Sequence, residues 1–200
     1  MDQRDFIEEI SAGIANLQKV RGLFLAGSFG RGAADIFSDV DLIAIAELDD
    51  HPEVMRDWRS LLESIAPIVF WRERGKGRVL LNAITECWLR CDLYLMQREA
   101  FTGRAQDCVV VLLDRDGLYD ELPASLAPRR PNADQVQFLI DEFIRVLGLL
   151  SVVAGRAEYV TAAAGTGLLR DHLTNLLLET VTVPDRGVPS TSASDCPLKT

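Results

Sequence analysis

The sequence predicts an α+β protein in two parts, a sheet domain flanked by helices and then a small helical domain. Three observations carry that prediction. Short apolar segments of strand character recur between Leu23 and Leu113. Amphipathic helical patterns precede and interrupt them. After Pro123–Pro131, with its three prolines and two adjacent arginines, the apolar period becomes helical and stays so. The expected division is residues 1–122 for the sheet domain, 132–183 for the helical domain, and 184–200 for a disordered tail rich in Pro, Ser and Thr.

Phe6, Ile10, Ile14 and Leu17 recur at helical spacing and predict a helix over about 5–20. Leu23 to Ala26 reads as a short buried strand, and Val40 to Ala46 as a second. Asp49 to Glu53 carries a helix start with proline in the first turn. Val54, Trp58, Leu61, Leu62 and Ile65 supply the buried stripe, and Pro67 ends it. Ile68 to Trp71 is a third strand, and Arg72 to Gly77 a charged loop. Val79 to Ile84 and Trp88 to Met96 are two more strands, joined near Thr85-Glu86; Val109 to Leu113 is the last. In the helical part, Val136 to Leu150 and Leu168 to Leu177 form two apolar stripes. Gly155 is a stop for the first helix, and Gly165 and Gly167 are candidate kinks in the second.

The chemistry concentrates between Leu23 and Glu47. Between the first two strands lies Gly27-Ser28-Phe29-Gly30-Arg31-Gly32. Its glycines let the backbone approach a ligand and take positive φ. Successive amides can form an anion nest. Ser28 offers a hydroxyl and Arg31 a phosphate partner. Asp39 and Asp41, two apart at the start of the second strand, share a face roughly 7 Å apart. Two such carboxylates suit a divalent cation with oxygen ligands. The plain alternative is a β-turn with Asp39 as a cap. No Gly-Lys-Ser/Thr follows the glycines, and they do not fall as G-x-G-x-x-G, so neither a Walker loop nor a dinucleotide fingerprint is present.

Gly27-Ser28, Arg31-Gly32 and Ser38-Asp39-Val40-Asp41-Leu42, set between two apolar strands, resemble the signature of the DNA polymerase β-like nucleotidyltransferases. The small antibiotic branch, acting on aminoglycosides and lincosamides, is the most similar. The resemblance implies a mixed β-sheet nucleotidyltransferase domain flanked by helices. It also implies a third carboxylate on a neighbouring strand, which Cys91-Asp92-Leu93 matches; the alternative for Asp92 is a salt bridge to Arg90 or Arg78. Asp39, Asp41 and Asp92 are then the catalytic and metal ligands, and Gly27, Ser28, Arg31 and Ser38 the nucleotide contacts. The implied reaction uses ATP or another NTP and two Mg²⁺ ions, about 3.5–4 Å apart, to move a nucleoside monophosphate onto a small-molecule hydroxyl. Asp92, Glu86 and Glu142 are all candidates for the general base. A protein-modifying, antitoxin-like enzyme and a catalytically inactive nucleotide-binding relative are the alternatives. The C-terminal helices resemble those of the antibiotic enzymes more loosely, and members often continue with further helices.

Composition narrows the partners. The formal net charge of −9 disfavours a long polyanion, so no nucleic acid partner is expected and a small or cationic acceptor fits. No leader pattern opens the chain, and Phe143 to Ala154 is too short to span a bilayer. A cytoplasmic location without membrane contact is expected, and a homodimer is allowed. Cys87, Cys91, Cys108 and Cys196 have no C-x-x-C spacing, which disfavours a zinc site. Cys87 and Cys91 read as buried free thiols on one strand face.

Overall fold

The computed structural model describes residues 1–128 and 130–180. The α+β class holds: six strands form one mixed sheet, helices accompany it, and two long helices follow. The tail expectation for 184–200 and the assignment of Cys196 fall outside the described residues. The chain forms two compact units, Met1–Leu126 and one that begins at Ala127.

In the first unit, helix α1 (Gln3–Ile14) is opened by Asp2. The Asp2 carboxylate accepts from the N–H of Arg4 and Asp5, and Asp5 returns a bond to the Asp2 N–H. It ends at Ile14 rather than near Val20, and Leu17 falls in the following turns. Strand β1 (Gly22–Leu25), a single helical turn α2 (Gly27–Gly30) and strand β2 (Val40–Ile45) follow. The glycine segment is thus a helical turn, not a bare loop. Helix α3 (His51–Ile65) buries Val54, Trp58 and Leu62 as its stripe requires, with Pro52 in its first turn.

Strands β3 (Ile68–Arg74), β4 (Val79–Thr85) and β5 (Arg90–Met96) form an antiparallel run. Three expectations are corrected here. β3 continues through Arg74, because pairing with β4 extends it into the charged segment. Trp88 is not in β5: it sits in the connecting turn at φ 61 and is 81% exposed. Cys87, expected as a buried thiol on one strand face with Cys91, lies in that turn and is exposed, because β5 begins only at Arg90; Cys91 is buried as expected. A one-turn helix α4 (Arg98–Phe101) and strand β6 (Val110–Asp114) complete the unit.

The strand order is β3-β4-β5-β2-β1-β6. β2 and β5 are parallel, and every other neighbouring pair is antiparallel. Two cores form. Phe6, Ile10, Val40, Leu42, Trp58, Leu81 and Leu93 lie in the larger; Phe24, Ile43, Met96, Phe101 and Leu118 lie in the smaller. Phe24 and Phe101 stack at 4.4 Å.

In the second unit, α5 (Ala133–Gly155) and α6 (Tyr159–Thr180) pack together. Asn132 caps α5 through the amides of Asp134 and Gln135, and its own N–H donates to Glu179 at 2.7 Å. α6 runs unbroken through Gly165 and Gly167. A Cβ on Gly165 would stand 2.9 Å from Leu150, so this glycine admits the facing helix instead of interrupting its own. No helix among the described residues is long and apolar enough to cross a membrane.

Candidate active site

The parallel pairing of β2 with β5 sets Asp41 directly opposite Asp92. Asp39, just before β2, lies two residues from Asp41 and so on the same side. One oxygen from each of the three carboxylates lies within 4.8 Å of the others. Among the described residues no second group of three His, Cys, Asp or Glu side chains comes together in this way. Asp92 is 4% exposed, and Asp39 and Asp41 are half-buried. The register extends the row outward: Asn82 of β4 faces Asp92, and Arg72 of β3 faces Asn82.

Hydrogen bonds hold Asp92 from both sides. Asn82 Nδ2 donates to its Oδ1 at 2.8 Å, and the Arg90 guanidinium to its Oδ2 at 2.9 Å. Arg90 also lies 3.3 Å from Asp39 Oδ2. The salt bridge weighed from the sequence therefore exists with Arg90, inside the carboxylate cluster; Arg78 instead stands over the Tyr94 ring at 5.5 Å. Burial first, then the charges of Asp39 and Asp92, push Asp41 up to about 6, with Arg90 and Arg31 opposing. Tyr94, next along the Asp92 face, is also pushed up, by burial and then by Asp41 and Asp92. Cys91 projects the other way into the larger core, where burial raises its thiol.

This donor set fits a hard divalent cation. It is all oxygen, converges within bonding reach of one centre, and places more negative charge together than Arg90 offsets. Burial first, and that imbalance second, hold the Asp41 carboxyl above its ordinary range.

The glycine turn closes one side of the cluster. Gly27 has φ +58, and a Cβ there would stand 2.0 Å from Asp41 Oδ2. Gly27 thus makes room first for the Asp41 carboxylate. The Ala26 N–H donates to the Asp41 carbonyl at 2.8 Å, fastening the turn to β2. Ser28 Oγ is buried beside it with no hydrogen-bond partner among the described residues. A hydroxyl so placed costs free energy unless a ligand supplies the bond. Arg31 is exposed just after the turn, and its charge reaches Asp41.

Ser38 is used differently from the other expected contacts. Its Oγ accepts from the Asp35 N–H at 2.9 Å and donates to Asp35 Oδ1 at 3.1 Å, and its carbonyl accepts from Gln3 Nε2 at 3.2 Å. It braces the loop that delivers Asp39. Glu86 lies exposed in the β4–β5 turn, outside the carboxylate cluster. Glu142 belongs to the second unit. Its two-pronged pair with Arg145, at 2.7 and 2.8 Å, lowers its carboxyl below the usual range and makes it a weaker base. Sequence reasoning missed Asn82 altogether and saw Arg90 only as a competitor for Asp92. The available signal was the polar Asn82 inside an otherwise apolar strand.

No protein-family model matches the chain. No curated protein matches it either. Among solved structures it is similar to an aminoglycoside 6-adenyltransferase from Bacillus subtilis, at 16% identity and TM-score 0.43 over 90% of this chain and 64% of that one. It is similar to the CCA-adding enzyme of Thermotoga maritima complexed with tRNA, at 12% and 0.42 over 90% and 47%. A third likeness is to the GLD-2/RNP-8 complex, at 15% and 0.38 over 91% and 60%. The chain spans less than two thirds of each of these structures.

Proposed function

We propose that this chain is a metal-dependent nucleotidyltransferase moving AMP from ATP onto a hydroxyl of a small molecule. The observation that supports it best is the convergence of Asp39, Asp41 and Asp92 beside a glycine turn whose buried Ser28 hydroxyl lacks a partner among the described residues. Asp39, Asp41 and Asp92 would hold the cations. Mg²⁺ bound there supplies positive charge to the attacking and leaving oxygens of an in-line phosphoryl displacement.

The chain's own groups do the rest. The Gly27–Arg31 segment grips the triphosphate, with Ser28 donating its hydroxyl and Arg31 pairing with phosphate oxygens. The acceptor oxygen bonds to the α-phosphorus, the bond from that phosphorus to the β-bridging oxygen breaks, and pyrophosphate leaves. The hydroxyl proton passes to a carboxylate. Asp92 is the member of the three candidate bases that lies in the cluster. Asn82 and Arg90 fix its orientation. Such a reaction draws on cytoplasmic ATP.

The test is to incubate the protein with Mg²⁺, each NTP and a panel of acceptors that includes aminoglycosides and lincosamides. Pyrophosphate release and product mass are then followed. Release should be specific to ATP, stop in excess EDTA and return with added Mg²⁺ or Mn²⁺. Full turnover in excess EDTA would rule the mechanism out. NTP binding without transfer to any acceptor would leave a nucleotide-binding protein instead.

A further inference from the structure

An open groove of about 210 Å³ lies on the same sheet face, on the far side of Asp92 from the glycine turn. Phe70, Arg72, Arg74, Asn82, Ile84 and Arg90 line it. The rows follow from register. Phe70, Ile84 and Arg90 stand abreast across β3, β4 and β5, and Arg72, Asn82 and Asp92 form the next row.

The groove's charge is opposite to that of the protein. The chain carries a net −9, yet among the described residues three arginines and no carboxylate line this surface. Among the described residues the Arg72 side chain has no hydrogen-bond or ion-pair partner, and Arg74 donates only to the neutral Asn82 Oδ1, at 3.1 Å. Phe70 is 43% exposed beside them, with Ile84 next to it. Two guanidinium groups without carboxylates beside an open aromatic face are suited to a phosphate and a flat ring.

Position tells which ligand this is. The sheet order puts the carboxylates, on β2 and β5, between the turn after β1 and the groove on β3 to β5. In an in-line displacement the leaving and attacking oxygens lie on opposite sides of the phosphorus. A triphosphate leaving toward the turn is therefore attacked from the groove. We infer that this groove binds the acceptor, and that the acceptor is a small phosphorylated molecule with a planar ring, not a cationic aminoglycoside. Arg72 and Arg74 take its phosphate, Phe70 stacks on its ring, and the Arg74–Asn82–Asp92 chain of hydrogen bonds links that recognition to the reacting centre.

This inference rests on the transferase reading above, and its test separates the two. The probe is AMP, which carries a flat ring, a phosphate and free hydroxyls. With the donor site filled by α,β-methylene-ATP and Mg²⁺, calorimetry should show AMP binding to the wild-type protein. The double variant Arg72→Gln/Arg74→Gln should bind AMP at least about tenfold more weakly, since two charge-assisted contacts go. Its affinity for the ATP analogue should not change. In turnover, AMP should outperform adenosine as acceptor by a similar factor, and the double variant should erase the difference. AMP binding indifferent to the substitutions overturns the inference. An equal loss of analogue affinity also overturns it, because the arginines would then hold the donor's triphosphate. Tighter binding of kanamycin than of AMP, or of an oligonucleotide than of AMP, overturns the acceptor class. Arginine-dependent AMP binding by a protein that releases no pyrophosphate from any NTP would support the anion groove and refute the transferase reading.

Discussion

On one side of the carboxylates, Gly27, Ser28 and Arg31 come from a single run of five residues folded as one turn. On the other side, Arg72, Asn82 and Arg90 come from three strands and meet only through cross-strand register. The first surface is largely backbone with one hydroxyl; the second is largely guanidinium. The first sits against Asp41, the second against Asp92. The contrast teaches that the two aspartates, opposite one another and equal in charge, answer to different neighbours. Asp41 is pushed up by burial and by its acidic neighbours, whereas Asp92 is more deeply buried and accepts one hydrogen bond at each oxygen, leaving a further lone pair on each.

The largest effect should come from the Asp92 side. Asp92→Asn keeps the volume and removes the charge. Single-turnover rate should fall at least about a hundredfold, the low end of a general-base contribution. MgATP affinity should hold, because the triphosphate grip proposed above is on the other side. Losing the Arg90 pair should change stability little, about 0–1 kcal/mol, since that guanidinium is half exposed. A near-normal rate with a marked drop in melting temperature would make Asp92 a structural ion-pair partner only.

A middle-sized effect should come from the turn. Gly27→Ala adds a methyl into the Asp41 carboxylate as well as backbone strain of about 1–3 kcal/mol. Gly32→Ala has comparable strain, at φ +67, but meets nothing within 4 Å. MgATP affinity should therefore drop about tenfold or more for Gly27→Ala relative to Gly32→Ala, from the lost charge-assisted contacts. Equal affinities in the two variants would reduce the turn to a matter of conformation.

A further effect, read in stability, has an unusual sign. Asp41 has a folded-state value of about 6 against an ordinary 3.8, so folding takes up a proton between those values. The stability tied to that proton is whole below about 3.8 and lost as pH rises through about 6. Asp41→Asn should therefore stabilise the metal-free protein by ~1–3 kcal/mol at pH 7–8. The gain should shrink toward zero as pH falls to 4, and turnover should be lost throughout. Denaturant titrations at pH 4 and 7.5 measure it. A destabilised variant at pH 7.5 would show that Asp41 is well compensated.

Legibility in the sequence followed the same division. Asp39-Val40-Asp41 beside the glycines is readable because one strand's alternation fixes which side chains share a face. Asp92 is readable as a lone acid in an apolar strand. Asn82 stands out as a polar residue in an apolar strand, but that it and Arg72 fall in the Asp92 row is not readable, because the residue opposite them depends on where the β3–β4–β5 hairpins turn. The segment Thr85 to Leu89 has no turn dipeptide to mark the place. It is Trp88, bulky and at positive φ, that makes the bend, against ordinary preference. β3 shows the same limit, since its charged end becomes strand only by pairing. In α6, two glycines argue for a break by propensity, yet the helix runs on through both, and at Gly165 close packing against Leu150 accounts for the glycine.

The parallel β2–β5 pair also governs how the protein comes to exist. Asp41 and Asp92 are 51 residues apart in sequence (92 − 41), whereas β1 and β2 form a local hairpin. The hairpin can form early and cheaply. Bringing β5 alongside β2 closes a long loop and, in the same event, drives the carboxylates together. A nascent or partly unfolded chain therefore has the turn without the converged carboxylates. Any free energy that a cation releases on binding is then credited wholly to the closed sheet, so Mg²⁺ would act on this chain as a folding ligand as much as a reagent.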